Sequence, residues 1–187
     1  MRNKTPIPDL PITEKLDYFS AALAIGYGLY YTVIRFFHLY PHRNTDQESS
    51  RRSFRLFWTT LCALIFFAHV SYLSLLPRFD YAYNMTFNLI VGLGHNALWI
   101  LYALPLTILR RFPSKPKSYR PEYARRAALF VILTTAAIAL ELLDFAPWRR
   151  IIDAHSLWHL STAPIALFWY RFLVEDALDE GWRGLKA

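Results

Sequence analysis

The chain has 187 residues, of which 55% are hydrophobic, 17% are aromatic and only 19% are charged, whereas soluble domains carry roughly 25% charged residues. Its formal net charge is +7, but the Lys and Arg residues stand beside apolar stretches, as they do at the ends of membrane helices. Composition therefore excludes an ordinary soluble domain, and the placement of the charge argues against a nucleic-acid partner.

Five apolar segments follow one another along the chain, and each is close to the length that crosses a bilayer. A hydrocarbon core of about 30 Å requires roughly 20 apolar residues in a helix, and the segments lack the alternation of barrel strands. We therefore predict an all-α, polytopic transmembrane helix bundle that forms a single membrane domain, 1–187. The predicted helices are 18–37, 56–76, 85–109, 127–143 and 151–174.

The Lys and Arg residues are divided unequally between the two ends of these helices. Six lie on the side that holds the N-terminus, and fifteen lie on the opposite side. Cytosolic loops carry the excess of positive charge in membrane proteins. The count therefore predicts a lumenal N-terminus and a cytosolic C-terminus.

The first predicted helix has a carboxylate at its lumenal start. Asp17 stands there, and Ser20 lies one turn deeper on the same face. Ionisable groups at membrane depth are costly and mark functional sites, so Asp17 is a candidate catalytic residue. The alternative, which spacing alone favours, is an ordinary helix N-cap or interfacial charge.

Two histidines lie deeper within the apolar segments. His69 is in the lumenal half of the second predicted helix, and His95 is near the middle of the third. Each is a candidate for a third metal ligand. The commoner role of such a residue is a hydrogen bond to a neighbouring helix.

Two acidic residues close the fourth predicted helix at its lumenal end. Glu141 lies just inside the helix, and Asp144 lies just beyond it. A carboxylate at this place can orient a metal-bound histidine through the second ring nitrogen, and we group both residues with Ser20 as candidates for that supporting role. Helix capping or a structural ion pair is an equally good interpretation of Glu141.

The fifth predicted helix opens with Asp153, a candidate N-cap, followed by His155 and His159. A spacing of four residues places both imidazoles on one helix face, about 5–6 Å apart at Cβ, where they can share one tetrahedral Zn²⁺ ion. The alternative is a pair of interfacial histidines that hydrogen-bond to neighbouring helices. A catalytic zinc requires three protein ligands and an open position, and only two ligands are evident in the sequence.

Five blocks of the sequence, in this order, resemble the Per-like family of membrane proteins, and the resemblance extends over 11–176. The blocks are ITEKLDYFSA (12–21), FDYAYNM (79–85), LDFAP (143–147), DAHSLWHL (153–160) and WYRFL (169–173). The resemblance also implies membership of a superfamily of seven-helix membrane hydrolases that includes the alkaline ceramidases.

The resemblance implies a zinc-dependent, phospholipase A2-like hydrolase that removes the sn-2 acyl chain of GPI anchors. Its partners would be GPI-anchored proteins and membrane lipid, and its location the endoplasmic reticulum membrane or the Golgi membrane. Zn²⁺ is the implied cofactor, and His155 and His159 match the paired zinc ligands of the family. Asp17 matches the active-site aspartate, which handles the proton of the metal-bound water.

The chain departs from the family's pattern at its N-terminal end. Family members carry two further helices and a lumenal region upstream, where a serine and the first zinc histidine lie. The first thirteen residues here include neither residue type, so we expect a truncated chain that holds the last five of seven helices. The alternatives are an inactive fragment and a non-catalytic membrane chaperone or scaffold for GPI-anchored proteins. A transporter or channel ranks below them because most candidate polar groups lie on the lumenal side.

Overall fold

The computed structural model of the protein describes residues 11–40, 48–143, 145, 147–148 and 152–183, and the regular secondary structure in this part is helical. A single isolated β-bridge joins Trp148 to Ile152 in this part. Two short 3₁₀ helices accompany five α-helices, and the predicted all-α architecture of five helices is therefore confirmed. The α-helices are α1 (Pro11–Phe36), α2 (Glu48–Leu75), α3 (Tyr81–Ala103), α4 (Arg125–Leu143) and α5 (Ala154–Leu178), and the 3₁₀ helices are Glu122–Ala124 and Glu180–Trp182.

Two helices in the described part are long and apolar enough to cross a bilayer. They span Ser49–Leu75 and Glu122–Leu140, with 27 and 19 residues. Large apolar side chains also face outward along the other helices. Leu16, Ile90 and Leu160 each expose 60% or more of their surface, as side chains in contact with lipid do. These features agree with the predicted transmembrane character.

Helices α1 and α2 begin earlier than the apolar segments that predicted them. α1 starts at Pro11 rather than at residue 18, and α2 starts at Glu48 rather than at residue 56. Hydropathy detects the stretch that hydrocarbon can surround, whereas the backbone hydrogen bonds of a helix continue through polar residues as well. The predicted boundaries therefore marked the apolar part of each helix and not its full length.

Helix α3 is displaced toward the N-terminus relative to the predicted segment 85–109. The carboxylate of Asp80 accepts a hydrogen bond from the backbone N–H of Tyr83 at 2.9 Å, which caps the start of the helix. The helix ends at Ala103 because Pro105 disfavours a helical backbone at the residue before it. The start of α3 is set by its cap and its end by backbone sterics, and a hydropathy window is sensitive to neither.

The chain divides into two compact units, Met1–His95 and Asn96–Ala187, and the prediction of a single membrane domain stays a prediction. In the first unit, α1 packs against α2. The Tyr30 hydroxyl and Thr59 Oγ1 lie 3.2 Å apart, and Trp58 Nε1 donates to the backbone oxygen of Tyr30 at 3.3 Å. In the second unit, α4 packs along α5, where Phe130 stacks on Trp169 at 3.9 Å between ring centroids.

Arg111 connects the loop that follows α3 to the end of that helix through hydrogen bonds. Its side chain is buried, with 2% exposed. Nε donates to the Tyr102 oxygen at 2.8 Å and Nη1 to the Tyr119 oxygen at 3.0 Å, while Nη2 donates to the Leu104 oxygen. Burial lowers the pKa of Arg111, with Tyr102 opposing the shift and Arg120 adding to it, yet a guanidinium stays charged in proteins. One cation therefore satisfies three backbone carbonyls.

Two carboxylates at the end of α5 accept hydrogen bonds from tyrosines of α3, of the loop that follows it and of the first 3₁₀ helix. Asp176 is buried and accepts from the Tyr102 hydroxyl at 2.7 Å. Asp179 accepts from the Tyr119 hydroxyl at 3.2 Å and from the Tyr123 hydroxyl at 2.7 Å. Burial, together with the charge of Asp179, raises the pKa of Tyr119, so this phenol stays a donor well above neutral pH.

Gly181 lies where no larger residue fits, because a Cβ at this position would overlap the side chain of Phe112. We expect Gly181→Ala to lower the free energy of unfolding by about 1–3 kcal/mol, the usual cost of overpacking. Gly26→Ala in α1 is the matched control, since nothing lies within 4 Å of a Cβ there. Thermal unfolding in detergent micelles, followed by circular dichroism, measures both variants. Equal stability of the two would contradict the overlap.

Candidate functional site

The start of α5 carries the predicted histidine pair on a capped helix. Asp153 is extended and its carboxylate accepts from the Ser156 N–H at 2.7 Å, so its prediction as N-cap is confirmed. His155 and His159 both belong to α5 and stand one turn apart on its backbone. Because the cap fixes where the helix begins, it also fixes both histidines within the first two turns.

The side chain of His159 lies on the surface of α5. His159 is exposed, and its ring lies 4.5 Å from that of Trp158 between centroids. Its backbone oxygen accepts from the Thr162 hydroxyl at 3.1 Å. The side chain of His155 lies outside the described part. Their shared role as zinc ligands stays a prediction.

Asp17 is exposed on α1 and is not an N-cap, because the helix begins at Pro11. The capping interpretation is therefore wrong, and the carboxylate is available for another role. Ser20 is also exposed, and its hydroxyl donates to the backbone oxygen of Asp17 at 2.9 Å. Asp17 belongs to the first unit and the histidine pair to the second. Their convergence at one lumenal face stays a prediction.

The two acidic residues at the end of α4 are only partly described. Glu141 belongs to the last turn of α4, and its side chain lies outside the described part, as does the whole of Asp144. The role predicted for both, orientation of a metal-bound histidine, stays a prediction.

The deeper histidines pack in ways that the sequence did not indicate. The ring of His95 faces Gly28 across the α1–α3 contact. His69 is buried with 1% exposed and stacks on Phe87 at 3.9 Å between centroids, while neither of its nitrogens has a hydrogen-bond partner among the described residues. Asn84 of α3 is the polar neighbour of His69 on α2, and the predicted hydrogen bond of His69 to a neighbouring helix stays a prediction. Among the described side chains, no group of three His, Cys, Asp or Glu residues is placed to hold a metal ion.

Asn84 and Asn88 form a polar pair on α3 that the sequence did not indicate as a site. Asn84 is buried, and its Oδ1 lies 3.5 Å from Asn88 Nδ2. The signal was available, because two asparagines spaced four apart in an apolar helix share one face. The sequence does not show which neighbour that face meets.

Comparison with known proteins identifies the family. The model of the Per1-like family matches residues 6–177. The chain is 40% identical over 184 residues to "Protein PER1 homolog" of Schizosaccharomyces pombe, which covers 97% of this chain and 50% of that protein. It is 38% identical to "GPI-specific phospholipase A2-like PGAP3" of Cricetulus griseus and 35% identical to that of Homo sapiens, each over 170 residues, 91% of this chain and 46% of the relative.

The chain thus spans about half the length of the curated relatives it matches. No solved structure matches it. The predicted resemblance is confirmed, because the family model covers nearly the whole sequence. The chain belongs to the Per1-like family.

Proposed function

We propose that this chain forms the helical part of a hydrolase that remodels the lipid of GPI anchors by cleaving the sn-2 acyl ester. The observation that carries the proposal is the pair His155 and His159, one turn apart at the capped start of α5. Several relatives that share a third or more of its residues are named as GPI-specific phospholipase A2-like proteins. The substrates would be GPI-anchored proteins in the membrane.

The donor set of this pair fits Zn²⁺, which prefers imidazole ligands at tetrahedral spacing. His155 and His159 would hold the ion from adjacent turns. When bound, zinc lowers the pKa of a water molecule and polarises the ester carbonyl. A third protein ligand completes such a site, and the described side chains do not supply it.

Asp17 would act as the general base of this reaction. Its carboxylate is exposed and lies within a helix, so the backbone holds its position while solvent and lipid can reach it. A carboxylate placed beside the attacking water accepts the proton that the water loses as it adds to the ester carbonyl. The same group can return that proton to the departing alcohol of the glycerol backbone.

The excess of Lys and Arg at one end of the helices supports a site at the lumenal membrane face. Fifteen of the basic residues belong to the predicted cytosolic side, and the positive-inside rule then places Asp17 and the start of α5 on the lumenal side. A GPI anchor is held in the lumenal leaflet, so this orientation presents the site to its substrate in the endoplasmic reticulum or the Golgi membrane.

Replacement of His159 by Ala tests the proposal. We expect the purified protein to lose zinc and to release fatty acid from the sn-2 position at least about 100-fold more slowly, because the ion's contribution to the barrier is several kcal/mol. Leu160→Ala is the control, since Leu160 is exposed on the same helix. Zinc is counted by elemental analysis, and fatty-acid release is followed with an sn-2-labelled GPI lipid.

Cells that carry only the His159→Ala protein separate catalysis from a scaffold role. Accumulation of unremodelled anchors with normal amounts of the protein is the expected result. Normal remodelling with unchanged zinc content would overturn the catalytic proposal and leave the chaperone or scaffold as the better account.

A further inference from the structure

The segment 104–126, which joins α3 to α4 and includes the first residues of α4, concentrates positive charge. It contains seven Lys and Arg residues and a single acidic residue, Glu122. The segment leads into Glu122–Leu140, a stretch long and apolar enough to cross a bilayer. Clusters of roughly four to eight basic residues beside a membrane helix are typical of segments that bind anionic lipid.

This loop lies at the end of α5 that is remote from the histidine pair. The hydroxyl of Tyr119 donates to Asp179, just beyond the end of α5, whereas His155 and His159 stand at the start of that helix. α5 has 25 residues, a length of about 37 Å, which is more than the hydrocarbon core of a bilayer requires. The loop therefore belongs to the membrane face opposite the proposed catalytic site, and the charge count predicts that this face is cytosolic.

Hydrogen bonds hold the loop to the end of α3 and to the segment that follows α5. Arg111 donates to backbone carbonyls at the end of α3, and Arg120 Nη2 donates to the Ala103 oxygen at 2.8 Å. The Ser114 hydroxyl donates to the Gly181 oxygen at 2.7 Å. Because these contacts already fix the backbone, a ligand that binds the other side chains of the loop incurs a smaller cost of ordering.

The positive charge of the loop is not neutralised within the described part of the second unit. Tyrosine hydroxyls donate to the neighbouring carboxylates Asp176 and Asp179. Glu175 and Glu180 each pair with an arginine, Arg126 or Arg183. The other cations of the loop, apart from Arg111, form no ion pair with the residues that the structure describes, and they are Arg110, Lys115, Lys117, Arg120 and Arg125.

Two large apolar side chains project from the same loop. Leu106 and Ile108 expose 90% and 80% of their surface, and neither belongs to a helix. Irregular backbone does not face the hydrocarbon core of a bilayer, because its polar groups would lack partners there. The loop backbone is therefore expected at the level of lipid headgroups, from which both side chains can reach the acyl boundary. Orientation of the helices requires only the charges, so it does not explain these exposed side chains.

We propose that this loop is a binding surface for the anionic phospholipid headgroups of the cytosolic leaflet. The loop surface comprises Leu106 and Ile108 together with the cations Arg110, Lys115, Lys117, Arg120 and Arg125. The cations contact lipid phosphate and carboxylate groups, and the two apolar side chains insert at the acyl boundary. The cytosolic leaflet carries anionic lipid, so its charge is complementary to that of the loop surface. The inference goes beyond the proposed hydrolysis and uses none of the residues assigned to it.

Lipid titration of the full chain in micelles of an uncharged detergent tests the charges. Native mass spectrometry counts the phosphatidylserine or phosphatidylcholine molecules bound at equal lipid concentrations. We expect phosphatidylserine to bind at least about tenfold more tightly, because each cation near the surface contributes about a fivefold gain, and to bind more weakly as the salt concentration rises. Lys117→Gln combined with Arg125→Gln should lower that affinity about 25-fold and leave phosphatidylcholine binding unchanged.

Lys15→Gln combined with Arg78→Gln is the matched control, because it removes the same charge from the first unit. Its affinity for phosphatidylserine should stay within about twofold of the unaltered chain. Equal affinity of the unaltered chain for the two lipids, or an equal loss in both double variants, would overturn the proposal. His159→Ala should bind phosphatidylserine like the unaltered chain, so a failure of the proposed hydrolysis and a failure of this surface are read separately.

Depth-dependent quenching in nanodiscs tests the insertion of Leu106. A fluorophore is attached to Leu106→Cys in a Cys62→Ser background, which removes the one natural cysteine, and the lipids carry a nitroxide at a shallow or a deep acyl position. We expect the shallow nitroxide to quench more strongly than the deep one. Ser118→Cys is the control, since Ser118 is exposed beside Lys117 and should be quenched less than Leu106→Cys by both lipids. Absence of quenching at Leu106→Cys, as an acidic protein bound to the loop would produce, overturns the proposal.

Discussion

Replacement of Asp17 by Asn is expected to lower the rate of sn-2 ester hydrolysis by about 10²–10⁴-fold, the range that a positioned general base contributes. Asparagine has the same shape but cannot accept the proton of the attacking water. Because Asp17 is exposed and does not cap its helix, the substitution should leave the melting temperature and the zinc content unchanged. Fatty-acid release from a labelled GPI lipid measures the rate.

Asp80→Asn is the matched control for this prediction. Asp80 caps α3, and asparagine is as good an N-cap as aspartate, so this variant removes a carboxylate from the same unit without loss of the cap. Hydrolysis should stay within about twofold of the unaltered chain, as is usual for substitutions that spare the reacting groups. Equal loss of activity in both variants, or full activity of Asp17→Asn, would show that Asp17 is not the base.

Replacement of Arg111 by Met is expected to lower the free energy of unfolding by about 1–3 kcal/mol, because the buried carbonyl of Tyr102 loses its donor and an orphaned buried carbonyl costs that amount. The guanidinium serves the carbonyls of Tyr102, Leu104 and Tyr119 at once. Total stabilities of domains are about 5–15 kcal/mol, so the second unit should melt well before the unaltered one. Unfolding in detergent, followed by circular dichroism, measures the change.

Arg110→Met is the matched control, since Arg110 is exposed and its Nε donates to the Lys115 oxygen at 3.2 Å. Its effect should stay within about 0.5 kcal/mol, as is usual for surface sites. Arg111→Lys should fall between the two, because an ammonium keeps the charge but lacks the planar fork that reaches several carbonyls. A stability of Arg111→Met equal to that of Arg110→Met would refute the role assigned to the buried cation.

The charge count treats Arg111 and Arg110 alike. In the sequence Arg111 is one of fifteen basic residues that orient the helices, and nothing distinguishes it from Arg110 beside it. In the structure, Arg111 is buried and donates to backbone carbonyls, whereas Arg110 is exposed. The orientation depends on the sum of the charges, whereas the role of each arginine depends on how the loop closes over the end of α3.

For the histidine pair, the local sequence is sufficient to predict where α5 begins and how its two histidines are spaced. Asp153 precedes Ala154, and its carboxylate caps the backbone three residues later. Capping is a contact within one turn, so the start of α5 and the one-turn spacing of its histidines follow from the order of residues alone. The position of Asp17 within α1 does not follow from hydropathy, because the turns of α1 before it are too polar for a hydropathy window to detect.

The sequence by itself determined the all-α class, the five helices, the capped start of α5 and the membership of the family, because long apolar segments, i,i+4 spacing and N-caps act over a few residues. Only the tertiary structure decided that His69 stacks on Phe87 and that the carboxylate of Asp176 accepts a hydrogen bond from the hydroxyl of Tyr102. Residues 74 positions apart in sequence meet in that hydrogen bond. Such pairs depend on how whole helices pack against one another. A polar atom requires a protein partner once packing has buried it, and the sequence alone does not show which atoms become buried.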